Sequence, residues 1–302
     1  MPRRRELGPG ALSLALNVPA LVLIAGIIAY PLAYALYLAF HRVTVRELRT
    51  GERPFVGLLN FRRLLEDDVF WLSLQHTLQF AVVVVAAEVL LGLAIALLLA
   101  RSRGPLTAAT RLLMLLPWAV PPIANALLWS FVYNSKYGVL NAVLYRLAFI
   151  DRPVSWLGDP DLALYAVAAA YVWRTTPFAV LLIHAALEGI PRPLWEASAI
   201  DGASAWRQLR HVILPLLAPV LMIVTILRTT WAFQAFEEIF GMTGGGPGNA
   251  TWVASYYSYR YAFQPPHDVG LGAASAFVLA CVIGVFAVLY IVVMRRTQVE
   301  WE

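Results

Sequence analysis

Glu196-Ala197-Ser198-Ala199-Ile200-Asp201-Gly202-Ala203, followed by Ile213-Leu214-Pro215, is a polar, helix-prone stretch wedged between two long apolar segments. Around it the chain is hydrophobic: of its 302 residues 60% are apolar and 14% charged, with a mean hydropathy of +0.69. A soluble domain carries about 25% charged residues, so the balance points to a membrane protein. Uncharged runs at Leu7–Phe40, Val69–Ala87, Leu112–Ser135 and Val269–Met294 are each long enough for a hydrocarbon core of about 30 Å at about 1.5 Å per residue.

The expected architecture is all-α, with six transmembrane helices at about 12–40, 70–100, 108–134, 161–187, 212–236 and 269–294. Long runs of Leu, Ala and Val satisfy their backbone within one segment and suit helices rather than barrel strands. Pro31, Pro117, Pro121, Pro122, Pro177, Pro215 and Pro219 lie in or beside these spans. The small residues Gly270, Gly272, Ala273, Ala274 and Ala276 suit close helix contact. The N-terminal Pro2-Arg3-Arg4-Arg5 before an apolar run has the look of a signal peptide, but the run is too long, and a retained first helix is expected. Cys281 is the only cysteine, so a disulfide within the chain and a cysteine-based metal site are both excluded.

A formal charge of +5 invites nucleic acid as a partner. The arginines instead cluster at the ends of apolar runs, as membrane-flanking charge does, and no nucleic-acid partner is expected. Arg and Lys are nearly evenly shared between the alternate loops, so the positive-inside rule gives no orientation. Gly244-Gly245-Gly246-Pro247 lacks the Gly-Lys-Ser/Thr of a phosphate-cradling loop, and no Gly-Lys dipeptide occurs in the chain. His76, His184 and His211 show neither His-x-x-x-His nor acidic-partner spacing, and no metal site is expected.

In the polar stretch, Ile190-Pro191-Arg192-Pro193 should end the fourth span and open a new helix, with proline tolerated in the first turn. Glu196 near that start is favoured by the helix dipole, and Gly202 allows a sharp change of direction. Trp206 and Leu209 are expected to bury against the membrane helices. Charged groups inside spans usually face a cavity or a partner helix. Glu88 reads as a packed or partner-paired carboxylate. Arg174 reads as a bundle-end anchor or a solute contact. Arg228 reads as a solute contact or the partner of Glu237, Glu238 or another subunit. Arg228, Trp231 and Gln234 recur every three residues, with Ala235 and Glu238 expected to continue that face; Tyr171, Arg174 or Thr175, and Phe178 share a face of the fourth span.

The constellation E-A-S-x-x-D-G-A with Leu-Pro twelve residues after the glycine resembles the coupling loop of ABC importer permeases. The resemblance extends to Pro117-Trp118-Ala119-Val120-Pro121 with Trp129, Gly138 and Asn141, to Trp173-Arg174-Thr175-Thr176-Pro177-Phe178, and to Thr243-Gly244-Gly245-Gly246-Pro247-Gly248-Asn249-Ala250-Thr251. With Tyr257, Tyr259 and Ala262-Phe263, it covers nearly all of residues 20–295. The chain is similar to the carbohydrate branch of the family, of maltose and glycerol-phosphate type. Ser198 departs from the usual second alanine, and the short segment 41–69 leaves no room for the large extra domain of the enterobacterial maltose permease.

The resemblance implies a type I ABC importer permease fold: a cytoplasmic N-terminus 1–11, a six-helix domain 12–295 with its coupling loop at 190–215, and a cytoplasmic tail 296–302. It implies a non-catalytic subunit of a bacterial cytoplasmic membrane, passing a sugar or polyol-phosphate. The implied partners are a second homologous permease, a dimeric ATPase that binds the ATP and Mg, an extracytoplasmic solute-binding protein and membrane lipid. Glu196, Ala197, Ser198, Asp201, Gly202, Ala203, Leu214 and Pro215 are the implied coupling residues. Tyr171, Thr175, Phe178, Arg228, Trp231 and Ala232 fall on sugar-lining positions. A secondary transporter, or a permease for a non-carbohydrate solute, is the alternative; neither inverted repeats nor a catalytic cluster is evident.

Overall fold

The computed structural model describes residues 9–101 and 105–298. Of the expected terminal segments, residues 1–8 and 299–302 lie outside the described residues. The helices, in chain order, are α1 (Pro9–Ile24), α2 (Tyr30–Ala39), α3 (Val45–Thr50), α4 (Leu59–Leu65), α5 (Asp68–Arg101), α6 (Pro105–Met114), α7 (Leu116–Ala119) and α8 (Pro122–Val132). They continue as α9 (Val139–Arg146), α10 (Ala163–Glu188), α11 (Arg192–Ile200), α12 (Ala205–Gln208), α13 (Leu214–Phe233), α14 (Glu237–Met242), α15 (Ala254–Phe263) and α16 (Val269–Gln298). Among the described residues there is no strand, only an isolated bridge between His41 and Phe55.

Five helical stretches are long and apolar enough to cross a membrane: Leu16–Ala39, Asp68–Ala100, Ala163–Glu188, Ala205–Phe233 and Val269–Val293. The expected third span is not one helix. It is a pair, Ala109–Ala119 and Pro122–Val132, bent by 96°. Val120 and Pro121 both precede a proline, which drives the preceding residue out of the helical region. Both are extended, with ψ of 126° and 141°. Pro121 and Pro122 also remove two successive donors from the ladder.

At Pro31 and Pro215 proline is accommodated by a wider turn. A π-helical turn at Ala25–Ala29 precedes Pro31, and another at Leu209–Ile213 precedes Pro215. The missing N–H and the displaced carbonyl are absorbed there without ending the helix.

The chain divides into two compact units. The first joins the N-terminal part up to Glu66 with Ser258–Val278. Within it the buried Asn60 amide donates to the carbonyls of Ala39 and His41, at 2.8 and 3.0 Å. Arg63 pairs with Asp268 at 2.8 Å. A Cβ on Gly270 would stand 2.4 Å from the His41 carbonyl oxygen, and one on Gly272 would stand 2.8 Å from Ala262 Cβ. Gly270 and Gly272 are therefore required by close approach of neighbouring segments of the chain.

The second unit, Asp67–Tyr257 with the chain from Leu279 onward, contains α5, α10 and α13 packed side by side. One cluster centres on Phe80, Val84, Val167, Tyr171 and Phe233, and another on Ala96, Ala179, Ile183, Leu217 and Val224. Water-driven burial does not hold helices together in lipid; close fit and interhelical polar contacts do. Gly92 of α5 provides such a fit, where a Cβ would lie 3.1 Å from Ala179 Cβ.

Candidate functional site

Glu88 and Arg228 are both buried in the second unit, 0% and 1% exposed. The Arg228 guanidinium donates to both carboxylate oxygens, Nε to Oε2 and Nη2 to Oε1, the latter at 2.5 Å. The Thr175 hydroxyl donates to the same carboxylate. Three spans thus converge on one ion: α5 supplies the acid, α13 the base and α10 the hydroxyl. A fork-to-fork arrangement of this kind satisfies both partners and fixes their orientation.

A second pair flanks the first. Arg174 Nε donates to Glu238 Oε1 at 2.8 Å, with the Glu238 side chain 1% exposed. The Tyr171 ring neighbours both cations, its centroid 5.5 Å from the Arg174 guanidinium carbon and 5.8 Å from that of Arg228. The Phe80 ring packs edge-on against it, centroids 5.4 Å apart.

These contacts correct three expectations. Arg228 pairs with neither Glu237 nor Glu238, because α13 ends at Phe233 and the chain turns away before α14 begins. Glu238 is therefore not on the helical face of Arg228 and Trp231. Arg174 is not an end anchor but the partner of Glu238. The sequence held a signal for this result: one acid and two bases inside apolar spans, each of which must find a counter-charge.

The residues on sugar-lining positions divide by exposure. Tyr171, Thr175, Arg228 and Ala232 are buried, 4%, 3%, 1% and 2% exposed. Phe178 is half-buried, and Trp231 is 39% exposed. Phe178 and Trp231 touch, their ring centroids 5.0 Å apart, and the Arg228 guanidinium sits 5.0 Å from the Trp231 ring. Trp118, which sequence reasoning placed only in a motif, joins them with its ring 5.7 Å from Phe178.

The polar stretch forms a separate helical hairpin. α11 starts after Pro191, with Pro193 in its first turn. It ends where Asp201 N–H meets the Ala197 carbonyl, Gly202 N–H the Ala199 carbonyl and Ala203 N–H the Ser198 carbonyl. Gly202 has φ of +75°, the left-handed conformation that terminates helices and favours glycine. Ser204 then caps α12 by accepting from Arg207 N–H at 3.4 Å.

Glu196, Ala197, Asp201 and Gly202 are exposed, while Ser198, Ala203, Leu214 and Pro215 are half-buried. The Ser198 hydroxyl is turned back onto the Trp195 carbonyl at 2.8 Å. Trp206 does not bury as expected. It is 63% exposed, and Ile200 is 86% exposed; Leu209 packs on the core as expected, and Trp195 packs there too. The hairpin thus keeps its apolar anchor residues inward and holds a large aliphatic and a large aromatic side chain outward.

Just before this hairpin, Arg111 reaches Glu188 at 3.1 Å, tying α6 to the last turn of α10. His184 lies 3.7 Å from Glu188 at i,i+4. The expectation that this histidine lacks an acidic neighbour at helical spacing is therefore corrected.

Residues 88–298 match the family described as "Binding-protein-dependent transport system inner membrane component". The trehalose/maltose transport system permease protein MalF of Thermococcus litoralis is 40% identical over 282 residues, covering 92% of each chain. The trehalose transport system permease protein SugA of Mycobacterium tuberculosis is 34% identical, covering 93% of this chain and 87% of its own. The sulfoquinovosyl glycerol transport system permease protein SmoG of Agrobacterium fabrum is 33% identical, covering 96% and 92%. A bacterial ABC transporter involved in the import of the acidic polysaccharide alginate superposes with a TM-score of 0.81 over 94% of this chain and 95% of that one, at 20% identity. The fold is that of a type I ABC importer permease, and this multi-pass membrane chain belongs to the binding-protein-dependent transport system inner membrane component family.

Proposed function

We propose that the chain is one of two homologous permease subunits of an ATP-driven importer that moves a sugar across a bacterial cytoplasmic membrane. The observation that carries this is the full-length similarity to permeases named for trehalose, maltose and sulfoquinovosyl glycerol. An extracytoplasmic binding protein delivers the solute, and a dimeric ATPase holds the ATP and Mg. Both termini are cytoplasmic, so that residues 190–215 meet the ATPase.

The exposed face of α11 supports this docking role. Glu196 and Ile200 are exposed on α11 and Asp201 is exposed at its C-cap, Ile200 at 86%, while Trp195 of the same helix packs on the core. An apolar side chain rimmed by acids suits a groove on a partner protein.

The solute path runs past Phe178 and Trp231. Tyr171, Thr175, Arg228 and Ala232 form the wall behind them. Aromatic faces bind the apolar faces of sugar rings, and nearby polar groups serve the hydroxyls. Because Arg228 and Arg174 are each already neutralised by a carboxylate, the wall favours a neutral sugar over a polyol phosphate.

The test is reconstitution. The purified chain alone should hydrolyse no ATP, whereas the complete complex in proteoliposomes should do so and accumulate labelled trehalose or maltose. ATP hydrolysis by the single chain, or a complete complex that accumulates no sugar, overturns the assignment.

A further inference from the structure

Asn125 Oδ1 and Trp129 Nε1 of α8 and Glu238 Oε2 of α14 are buried atoms with no hydrogen-bond partner among the described residues. The Asn125 and Glu238 residues are 0% and 1% exposed. All three atoms belong to one junction. Asn125 and Trp129 stand one turn apart on α8, and both reach α10. The Asn125 amide donates to the Ala170 carbonyl at 3.2 Å, and the Trp129 ring lies 5.8 Å from that of Trp173.

Glu238 reaches the same turn of α10, where its Oε1 accepts from Arg174 Nε at 2.8 Å. One turn further along α14, Gly241 comes so close to α8 that a Cβ would stand 2.7 Å from Ala126 Cβ. The three atoms therefore converge on the seam between α8, α10 and α14.

Leaving several polar atoms unbonded in one buried seam is strongly unfavourable. Their needs are specific. The two oxygens require donated hydrogens, and the indole N–H requires an acceptor. Water supplies two donors and a lone pair at once, and a buried water typically makes about three such bonds. A sodium or potassium ion would suit the two oxygens, but it offers the indole no acceptor and would stand beside the Arg174 guanidinium. A proton shared by Glu238 and Asn125 would leave the indole unbonded and deprive Arg174 of its counter-charge.

We propose that one ordered water binds in this seam, donating to Asn125 Oδ1 and Glu238 Oε2 and accepting from Trp129 Nε1. It completes a carboxylate whose other oxygen is held by Arg174. It also joins the second half of the broken third span to α14, the short helix that leads into the Thr243–Thr251 loop. Asn125 and Trp129 thereby hold a water rather than the solute.

The test uses the chain in its complete, detergent-purified complex. A cryo-electron microscopy map at a resolution that shows ordered solvent should contain one peak within hydrogen-bonding distance of all three atoms. Trp129→Phe keeps a ring and removes the N–H. Its unfolding midpoint should fall by about 2–4 °C, and the peak should weaken or vanish while the Arg174–Glu238 pair remains. The midpoint of the unaltered complex should be the same in sodium, potassium and choline chloride at matched ionic strength.

No peak at the seam, or a peak bound by oxygens alone, overturns the proposal. A midpoint that rises with sodium or potassium but not with choline also overturns it, in favour of a cation site. If Trp129→Phe leaves both peak and midpoint unchanged, the indole is not a ligand and the three-way bridge falls. If that variant does not assemble, the map and the salt comparison of the unaltered complex decide.

Discussion

Arg228 and Glu88 stand 140 residues apart in sequence and form a bidentate ion pair that is almost completely buried. Neither charge could be tolerated there alone. The Thr175 hydroxyl supplies a further bond to the carboxylate, so α5, α10 and α13 are pinned at one point directly behind Trp231. The pair neutralises its own charges and sets the Arg228 guanidinium 5.0 Å from the exposed indole.

Removing either charge alone should be costly. Glu88→Gln or Arg228→Gln leaves an uncompensated ion in a buried site, with an expected loss of about 3–5 kcal/mol. The double variant Glu88→Gln/Arg228→Gln should recover most of the stability, because neutral groups of similar shape can still hydrogen-bond. Yield and thermal unfolding of the detergent-purified complex measure this. Single variants as stable as the unaltered chain would show that the pair does not clamp the spans.

The Thr243–Thr251 loop has its own requirement for glycine. Gly245 has φ of +85°, and a Cβ there would lie 2.5 Å from Trp252 Nε1. Thr251 is fully buried, its hydroxyl 2.7 Å from that of Thr243 and donating to the Gly246 carbonyl at 3.0 Å. Gly245→Ala should lose at least the roughly 1–2 kcal/mol of left-handed strain. Thr251→Val should cost about 1–3 kcal/mol by leaving a carbonyl unsatisfied. Both should appear as a lowered unfolding midpoint, and an unchanged midpoint would contradict the contacts.

On α11, Glu196→Lys should leave membrane insertion intact, because the side chain is exposed and outside the spans. Retention of the ATPase should fall by on the order of tenfold or more, since like or unpaired charges in a desolvated groove are strongly unfavourable. Gly202→Asp should act in the same direction. Pull-down of the ATPase with tagged chain reads the effect, and normal retention by both variants would remove this loop from the docking surface.

Gly202→Ala separates shape from charge. Nothing lies within 4 Å of a Cβ at that position, so the penalty is backbone strain alone, roughly 1–2 kcal/mol. Gly202→Asn should be milder, since asparagine enters the left-handed region more readily. Hydrogen exchange of residues 199–204 should rise in the alanine variant and less in the asparagine one. Equal exchange in both would indicate that the positive φ is not maintained.

Much of the fold was legible because lipid imposes a simple demand: every backbone group must be satisfied within its own segment. Five spans follow from apolar length alone. The third needed local chemistry, and the adjacent Pro121 and Pro122 that break it were visible in the sequence without revealing the 96° bend. The E-A-S stretch was read correctly as a helix ended by Gly202, since proline at its start and a left-handed glycine at its end are local signals.

What the sequence by itself determined is local: span lengths, helix ends, the missing phosphate-binding loop and the membership that the motifs imply. Tertiary structure decided which charges meet. Helical spacing pointed Arg228 toward Glu238, yet α13 stops at Phe233 and the counter-ion comes from α5. It likewise decided that Trp206 faces outward and that Trp118 joins Phe178 and Trp231. Periodicity places a side chain on one face of its own helix. Which neighbour covers that face depends on how distant helices pack, and that is set by the sum of many small contacts across the bundle.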